Sequence, residues 1–135
     1  MKEYIAHVRV DNHCQSNEEH LIGTSDLASQ FAADFQCENW GALLGLWHDI
    51  GKYSNVFQNY IRISAGIIED AELSGKVDHS SAGAIYAVKR LPQLGLPLAY
   101  CIAGHHAGLL NWCNEPGISG NLESRLQKDS IDQIP

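Results

Sequence analysis

Apolar residues recur at helical intervals along most of the chain. In "SNEEHLIGTSDLASQFAADF", residues 16–35, the positions Leu27, Ala28, Phe31 and Phe35 predict a helix that lines one face with them. Ser16 followed three residues later by Glu19 fits a capping box at its start, which puts His20 in the first turn. "NWGALLGLWHDIGKY", residues 39–53, is apolar nearly all round and predicts a central helix. Gly41 and Gly45 lower helix propensity on one face of it, which predicts a close helix contact there, and Gly51 ends it or loosens its last turn. Helical spacing resumes at 54–63 through Val56, Phe57, Tyr60 and Ile61. Residues 64–76 read as a connection with one short turn. A fourth helix is predicted over 77–91, capped by Asp78 or Ser80, with Ala82, Gly83 and Ala84 allowing tight packing. "PQLGLP" is a turn, and 98–108 a short buried helix ended near Gly108. Residues 114–121 read as loop and 122–134 as a last polar helix. No alternating strand pattern of any length is visible, so the expected fold is all-α, with five or more helices.

The 135 residues favour one domain, residues 1–135, large enough for a modest core. Hydrophobic residues make up 44% and charged residues 19%, a globular rather than disordered balance. The formal charge of -7 excludes nucleic-acid binding through a broad basic surface, so any such contact needs a local patch, a bound metal or a partner. Cys14, Cys37, Cys101 and Cys113 match neither a zinc motif nor a disulfide framework, and read as reduced thiols of a cytoplasmic protein. The N-terminus is too polar for a signal peptide, and the apolar stretches are too short for a membrane span.

Seven histidines change the picture, because five of them, His20, His48, His79, His105 and His106, lie in or beside helix-like stretches. His48 and Asp49 are adjacent behind an apolar run, where burying an ionisable pair costs several kcal/mol without compensation. On a continuous helix they point about 100° apart and flank a site rather than face it squarely. The two oxygens of Asp49 suit a bridge between two cations. His105 and His106 repeat the adjacent arrangement, and Lys52 shares a face with His48 and Asp49. Imidazole with carboxylate suits zinc, iron, manganese, cobalt or nickel more than calcium. Two such ions ~4 Å apart clamp a phosphodiester and generate hydroxide at neutral pH. Lys52, unsuited to ligation there, suits an anionic phosphate oxygen. Each group also has an ordinary structural explanation: His20 a capping or surface residue, His48–Asp49 a buried hydrogen-bonded pair, His79 part of a cap, Lys52 a solvated helix-end lysine. Four histidine-bearing elements together favour one shared site.

The order "EHL" (19–21), "HDIGKYSNVFQNYI" (48–61), "DHSSAGA" (78–84) and "AGHHAG" (103–108) resembles the HD superfamily of metal-dependent phosphohydrolases. More closely, it resembles the HD nuclease domain of the CRISPR-associated helicase-nuclease of type I interference systems, over about residues 5–110. "HDIGK" alone is not specific; its combination with "FQ", "DHS..GA" and "HH.G" is. The resemblance implies an HD-domain helical bundle with two divalent metal positions. His20, His48 and Asp49 match ligands of the first. Asp49 bridges to the second, whose ligands match His79, His105 and His106, and Lys52 matches a lysine near the scissile phosphate. It further implies a metal-dependent nuclease, with Asp49 and Lys52 as catalytic residues, acting on single-stranded DNA. A helicase domain in cis or in trans and a guide-RNA surveillance complex would deliver that DNA; no membrane is involved. His7 stands in an "AH" context common at the start of such domains and is not counted as a ligand, and His13 has no counterpart. The family also implies a late aspartate as a first-position ligand. Asp129 and Asp132 are the only aspartates after His106, and both lie in a polar segment too close to it. The expectation is therefore a C-terminally truncated HD domain with a weak first metal position. The competing readings are a nucleotide phosphohydrolase of the wider superfamily, with a closed pocket, and a degenerate metal-binding interaction module.

Overall fold

The computed structural model describes residues 4–68, 75–113 and 120–135. Among the described residues two short strands, β1 (Ile5–Val8) and β2 (Cys14–Ser16), form an antiparallel ribbon and lead into six α-helices. These are α1 (Asn17–Ala32), α2 (Glu38–Trp47), α3 (Asn55–Ser64), α4 (Ser80–Arg90), α5 (Gly95–Gly104) and α6 (Leu122–Leu126). Single 3₁₀ turns follow α1 at Ala33–Phe35 and α2 at Ile50–Tyr53. The architecture is mostly helical, as the pattern predicts, and the ribbon is an addition to it. Its strands are three and four residues long, too short to show an alternating sequence signal.

The capping box is present: Ser16 accepts from the Glu19 backbone N–H, and the Glu19 carboxylate accepts from Ser16 N–H. Of the residues expected to line one face of α1, Ala28 meets α2, but the large ones face solvent. Leu27, Phe31 and Phe35 are 53%, 70% and 78% exposed, while Leu21 and Ser25 are buried. The reason lies in α2, whose two glycines bring the backbones together. A Cβ on Gly41 would stand 2.3 Å from the Ala28 carbonyl oxygen, and one on Gly45 2.3 Å from Ser25 Cα. The close contact was legible, but it selects the small residues of α1 and turns the large ones outward. For the same reason α2 is not buried all round: Trp40 and Leu46 remain partly exposed.

The main core lies between α4, α5 and α6, where Ala84, Ala87, Leu98, Ala99, Ile102, Ala103 and Leu122 are buried with Leu43, Leu44 and Trp47 of α2 against them. The last helix is shorter than expected, and its first residue, Leu122, is a fully buried core residue. Asp78 caps α4 from just before it, its carboxylate accepting from the Ser80 and Ser81 N–H groups, while His79 occupies the cap position itself. A smaller core of Ile5, Phe57 and Ile61 joins β1 to α3. Residues 69–74 of the connection expected at 64–76, and 114–119 of the loop expected at 114–121, lie outside the described residues. All four cysteines are free. Among the described residues no helix is long and apolar enough to cross a membrane.

Candidate metal centre

The helix expected to run through His48 and Asp49 stops at Trp47. His48 is its C-cap, and Asp49 leaves helical geometry at φ -117°, ψ 21° before the 3₁₀ turn begins. This break corrects the expectation that the two side chains only flank a site. His48 Nε2 lies 3.1 Å from Asp49 Oδ2. His105 and His106 likewise follow α5 instead of lying in it, since His105 is the C-cap of a helix that ends at Gly104. Loose helix ends, free of regular 3.6-residue geometry, let adjacent side chains converge.

Asp49 is the hub and is only 3% exposed. Its Oδ2 faces His20 Nε2 at 3.0 Å, His48 Nε2 at 3.1 Å and Lys52 Nζ at 2.8 Å. Its Oδ1 faces His105 Nε2 at 3.3 Å and His79 Nε2 at 3.4 Å, and neither contact has hydrogen-bond geometry, so Oδ1 is a buried oxygen with no hydrogen-bond partner. His106 completes this side, its Nε2 2.9 Å from that of His79. All six histidine and aspartate positions marked by the sequence therefore meet around one carboxylate. Lys52 joins them as a buried partner, not as a solvated helix-end lysine.

The backbone aims the rings. His48 Nδ1 is 2.8 Å from Gly45 O, His105 Nδ1 2.6 Å from Ile102 O and His79 Nδ1 3.2 Å from Val77 O. A carbonyl only accepts, so each ring donates through Nδ1–H; its neutral form then turns an Nε2 lone pair toward Asp49, and its protonated form turns Nε2–H there instead. Metal-binding histidines are oriented in this way. Such lone pairs, facing the carboxylate at 3.1–3.4 Å, repel it unless a cation or proton lies between them. The donor set fits a divalent ion of the zinc, manganese, iron, cobalt or nickel type, and the orphaned Oδ1 gives it a vacant anionic ligand. Among the described residues two donor groups meet the spacing: Asp49, His79, His105 and His106, and separately His7, His20 and Asp49, with ligand atoms within 4.8 Å of one another in each.

Electrostatics follow from the packing. Burial alone would raise the Asp49 carboxyl, but His105, His20 and His48 outweigh it and hold the group far below the usual carboxylate range. Burial lowers His79 and His106, which keeps both rings neutral and available. Burial also opposes protonation of His105, but contact with Asp49 and Ile102 O raises it above the usual imidazole value. His7 is lowered by burial and by the Lys52 ammonium.

Three residues of the surroundings have roles that the sequence did not assign. Fully buried Asn17 donates from Nδ2 to the Asp49 carbonyl at 3.4 Å, fixing the break after α2. Buried Gln58, the glutamine of the "FQ" pair, donates to the Lys52 and Ile5 carbonyls and accepts from Ile5 N–H. His7 Nε2 lies 3.2 Å from Lys52 Nζ. A buried amide at 53 residues' separation from its partner carries no local signal; Gln58 as a polar residue on the buried face of α3 was the one available hint. Gly51 matters for packing as well as for ending a helix. A Cβ there would stand 2.1 Å from the His79 carbonyl oxygen, so the 3₁₀ turn and His79 approach only because position 51 is glycine. Asp129 and Asp132 are exposed and belong to neither donor group, and His13 is exposed and outside both.

A family model described as "Cas3, HD domain" matches residues 6–121. No curated protein matches the chain.

Proposed function

The chain belongs to the Cas3 HD domain family, a CRISPR-associated family of HD nucleases, and from that premise we propose that it is a two-metal phosphodiesterase domain acting on single-stranded DNA. The observation that carries the reading is the division of Asp49: one oxygen turned to His20 and His48, the other to His79 and His105, with His106 beside them. His20, His48 and Asp49 would hold one ion, and Asp49, His79, His105 and His106 a second. Bound ions would supply Lewis-acid stabilisation of charge on the phosphate and a nucleophile at neutral pH.

The chain's own residues do the rest. The imidazole lone pairs, held by backbone carbonyls, keep the donors in place without reorganisation. Asp49 stays ionised at any working pH because its neighbours hold it so. Lys52 lies within reach of the same carboxylate and, released from it, offers an ammonium to a non-bridging phosphate oxygen. A polymeric substrate is favoured over a free nucleotide by the exposure of His106 and by the cleft of about 530 Å³ that opens on His79 and His106. Tyr60, Lys76 and Arg125 line that cleft, an aromatic ring for a base and two cations for phosphates. Asp78 lines the same cleft, so the cleft's charge is mixed in an acidic chain. That balance gives little general attraction for DNA. A helicase domain, in cis or in trans, and a guide-RNA complex are the partners this reading calls on for delivery.

The test is incubation of the full chain with manganese, cobalt or nickel and end-labelled single-stranded DNA, duplex DNA and deoxynucleotide triphosphates, with Asp49→Ala as control. Metal-dependent cutting of the single strand that needs Asp49 is expected. Hydrolysis of triphosphates with none of DNA would replace the reading by a nucleotide phosphohydrolase, and binding of one ion or none without turnover by a metal-binding interaction module.

A further inference from the structure

We propose that His7, the histidine of strand β1, is a direct ligand of the metal position formed by His20, His48 and Asp49, a fourth protein donor on that side of the carboxylate; the inference rests on the two-metal reading above.

The strand is built to present it. β1 and β2 pair with a register shift: Ile5 stands opposite Ser16, yet His7 stands opposite Gln15, so Ala6 is an extra residue. Ile5 and Ala6 are both buried where alternation would expose one of them, and His7, itself solvent-exposed, sets its ring against His20 and Lys52. Bulges of this kind commonly re-aim a side chain beside an active site. Gln58 then locks the strand to the metal-site turn. Its amide makes a two-way bond with the Ile5 backbone, at 2.9 Å each way, and donates to the Lys52 carbonyl at 2.7 Å. One buried side chain thus sets both the position of His7 and that of Lys52.

The geometry at the end of the strand is that of a ligand. A donor atom of His7 lies within 4.8 Å of those of His20 and Asp49. Two ligands of one ion with bonds of about 2.1 Å stand about 3.4–4.2 Å apart, so these donors would need to close by no more than about 1.4 Å to share one. The His7 ring also packs edge-on to His20, with centroids 4.6 Å apart. A cation is already lodged between the donors: Lys52 Nζ is 2.8 Å from Asp49 Oδ2 and 3.2 Å from His7 Nε2. An ammonium is only a donor, so His7 Nε2 accepts and its lone pair points into the site. A divalent ion taking the place of the ammonium would collect the same lone pair and free Lys52 for substrate. Neither Asp129 nor Asp132 offers this side a carboxylate, and His7 supplies the further donor.

The experiment is cobalt titration of the full chain, followed by calorimetry and by proton NMR of the loaded protein, in wild type, His7→Ala, His7→Gln and His106→Ala. Each coordinated imidazole contributes one exchangeable N–H resonance shifted far outside the diamagnetic range. Wild type is expected to bind two ions. Both His7 variants should weaken one of them beyond the about 10–100-fold typical of outer-sphere partners, abolish one shifted N–H resonance and leave the ion lost in His106→Ala in place. Glutamine separates ligation from support, because it keeps an acceptor for Lys52 but is a poor ligand. If His7→Gln binds cobalt as wild type does, or if neither variant loses a shifted resonance, His7 is not a ligand and the two-ion reading stands without it. If wild type itself binds fewer than two ions, the two-ion reading fails and this inference with it. Thermal melting of the metal-free variants checks that each is folded, and His7→Gln carries the test should the alanine variant not be.

Discussion

The two oxygens of Asp49 share one carbon and meet opposite surroundings. Oδ2 is enclosed by His20, His48 and a lysine ammonium within 3.1 Å, so its charge is balanced by the protein itself. Oδ1 looks onto His79 and His105 at 3.3–3.4 Å, with no hydrogen bond made. One side is satisfied and must give up a partner to admit an ion. The other is left wanting and gains a partner when an ion arrives. Burying a polar atom unpaired costs about 1–3 kcal/mol, and a divalent ion recovers that cost on the Oδ1 side alone. The difference separates two roles within one centre. The Oδ1 side is preorganised for metal, and the Oδ2 side couples metal entry to release of Lys52.

Removing the shared carboxylate should erase the contrast altogether. Asp49→Ala is expected to lose both ions and to lower metal-dependent cleavage by at least about 10²–10³-fold, read by cobalt stoichiometry and single-turnover cutting. It should also destabilise the metal-free protein by about 3–5 kcal/mol, because Lys52 is left buried without its anion. Wild-type cleavage and metal content in this variant would disprove the hub.

Single ligands should split the two sides. His48→Ala is expected to empty the Oδ2 side and His106→Ala the Oδ1 side, each leaving one ion of two, with the surviving ion tighter in His48→Ala. Metal analysis after dialysis decides it. Equal losses at both sides from either change would mean that the sides do not act separately.

Gly51→Ala sharpens the comparison through the backbone. The new methyl collides with the His79 carbonyl, displaces that residue and strikes the Oδ1 side alone. Weakening of that ion by about 10–100-fold is expected, with about 1–3 kcal/mol of overpacking strain in the melting curve and the Oδ2 side unchanged in calorimetry.

The smallest effect is the pH response of the metal-free protein. His105 is raised and His79 and His106 are lowered. As pH falls, His105 should take a proton above the ordinary imidazole value of about 6.5, and the other two only below it. A group raised on folding contributes stability that is complete below its unfolded value and is lost as pH rises through its folded value. His105 therefore stabilises the metal-free chain on the acid side, and its proton opposes metal there. Histidine Cε1–H shifts across a titration give the order directly, and His79 or His106 titrating before His105 would refute it.

Much of this centre was legible in the sequence, for a chemical reason. Ionisable residues at 20, 48, 49, 79, 105 and 106 stand beside apolar stretches, and such residues are not buried without partners, so the segments that carry them had to meet. The capping box at Ser16 and the glycine contact between α1 and α2 were legible too, since each depends on residues within one turn or one helix face. What the tertiary structure decided is everything set by distant partners. The exposed face of α1 follows from where the α2 glycines press. The break at Asp49 is held by Asn17, 32 residues away, and it converts two divergent side chains into convergent ones. Lys52 is drawn from solvent to a buried anion. His7 reaches the site through a bulge in a ribbon too short to announce itself, tied down by a glutamine 53 residues from Ile5. Residue chemistry along the chain says which groups must find partners; which partners they find depends on long-range contacts that no local pattern records.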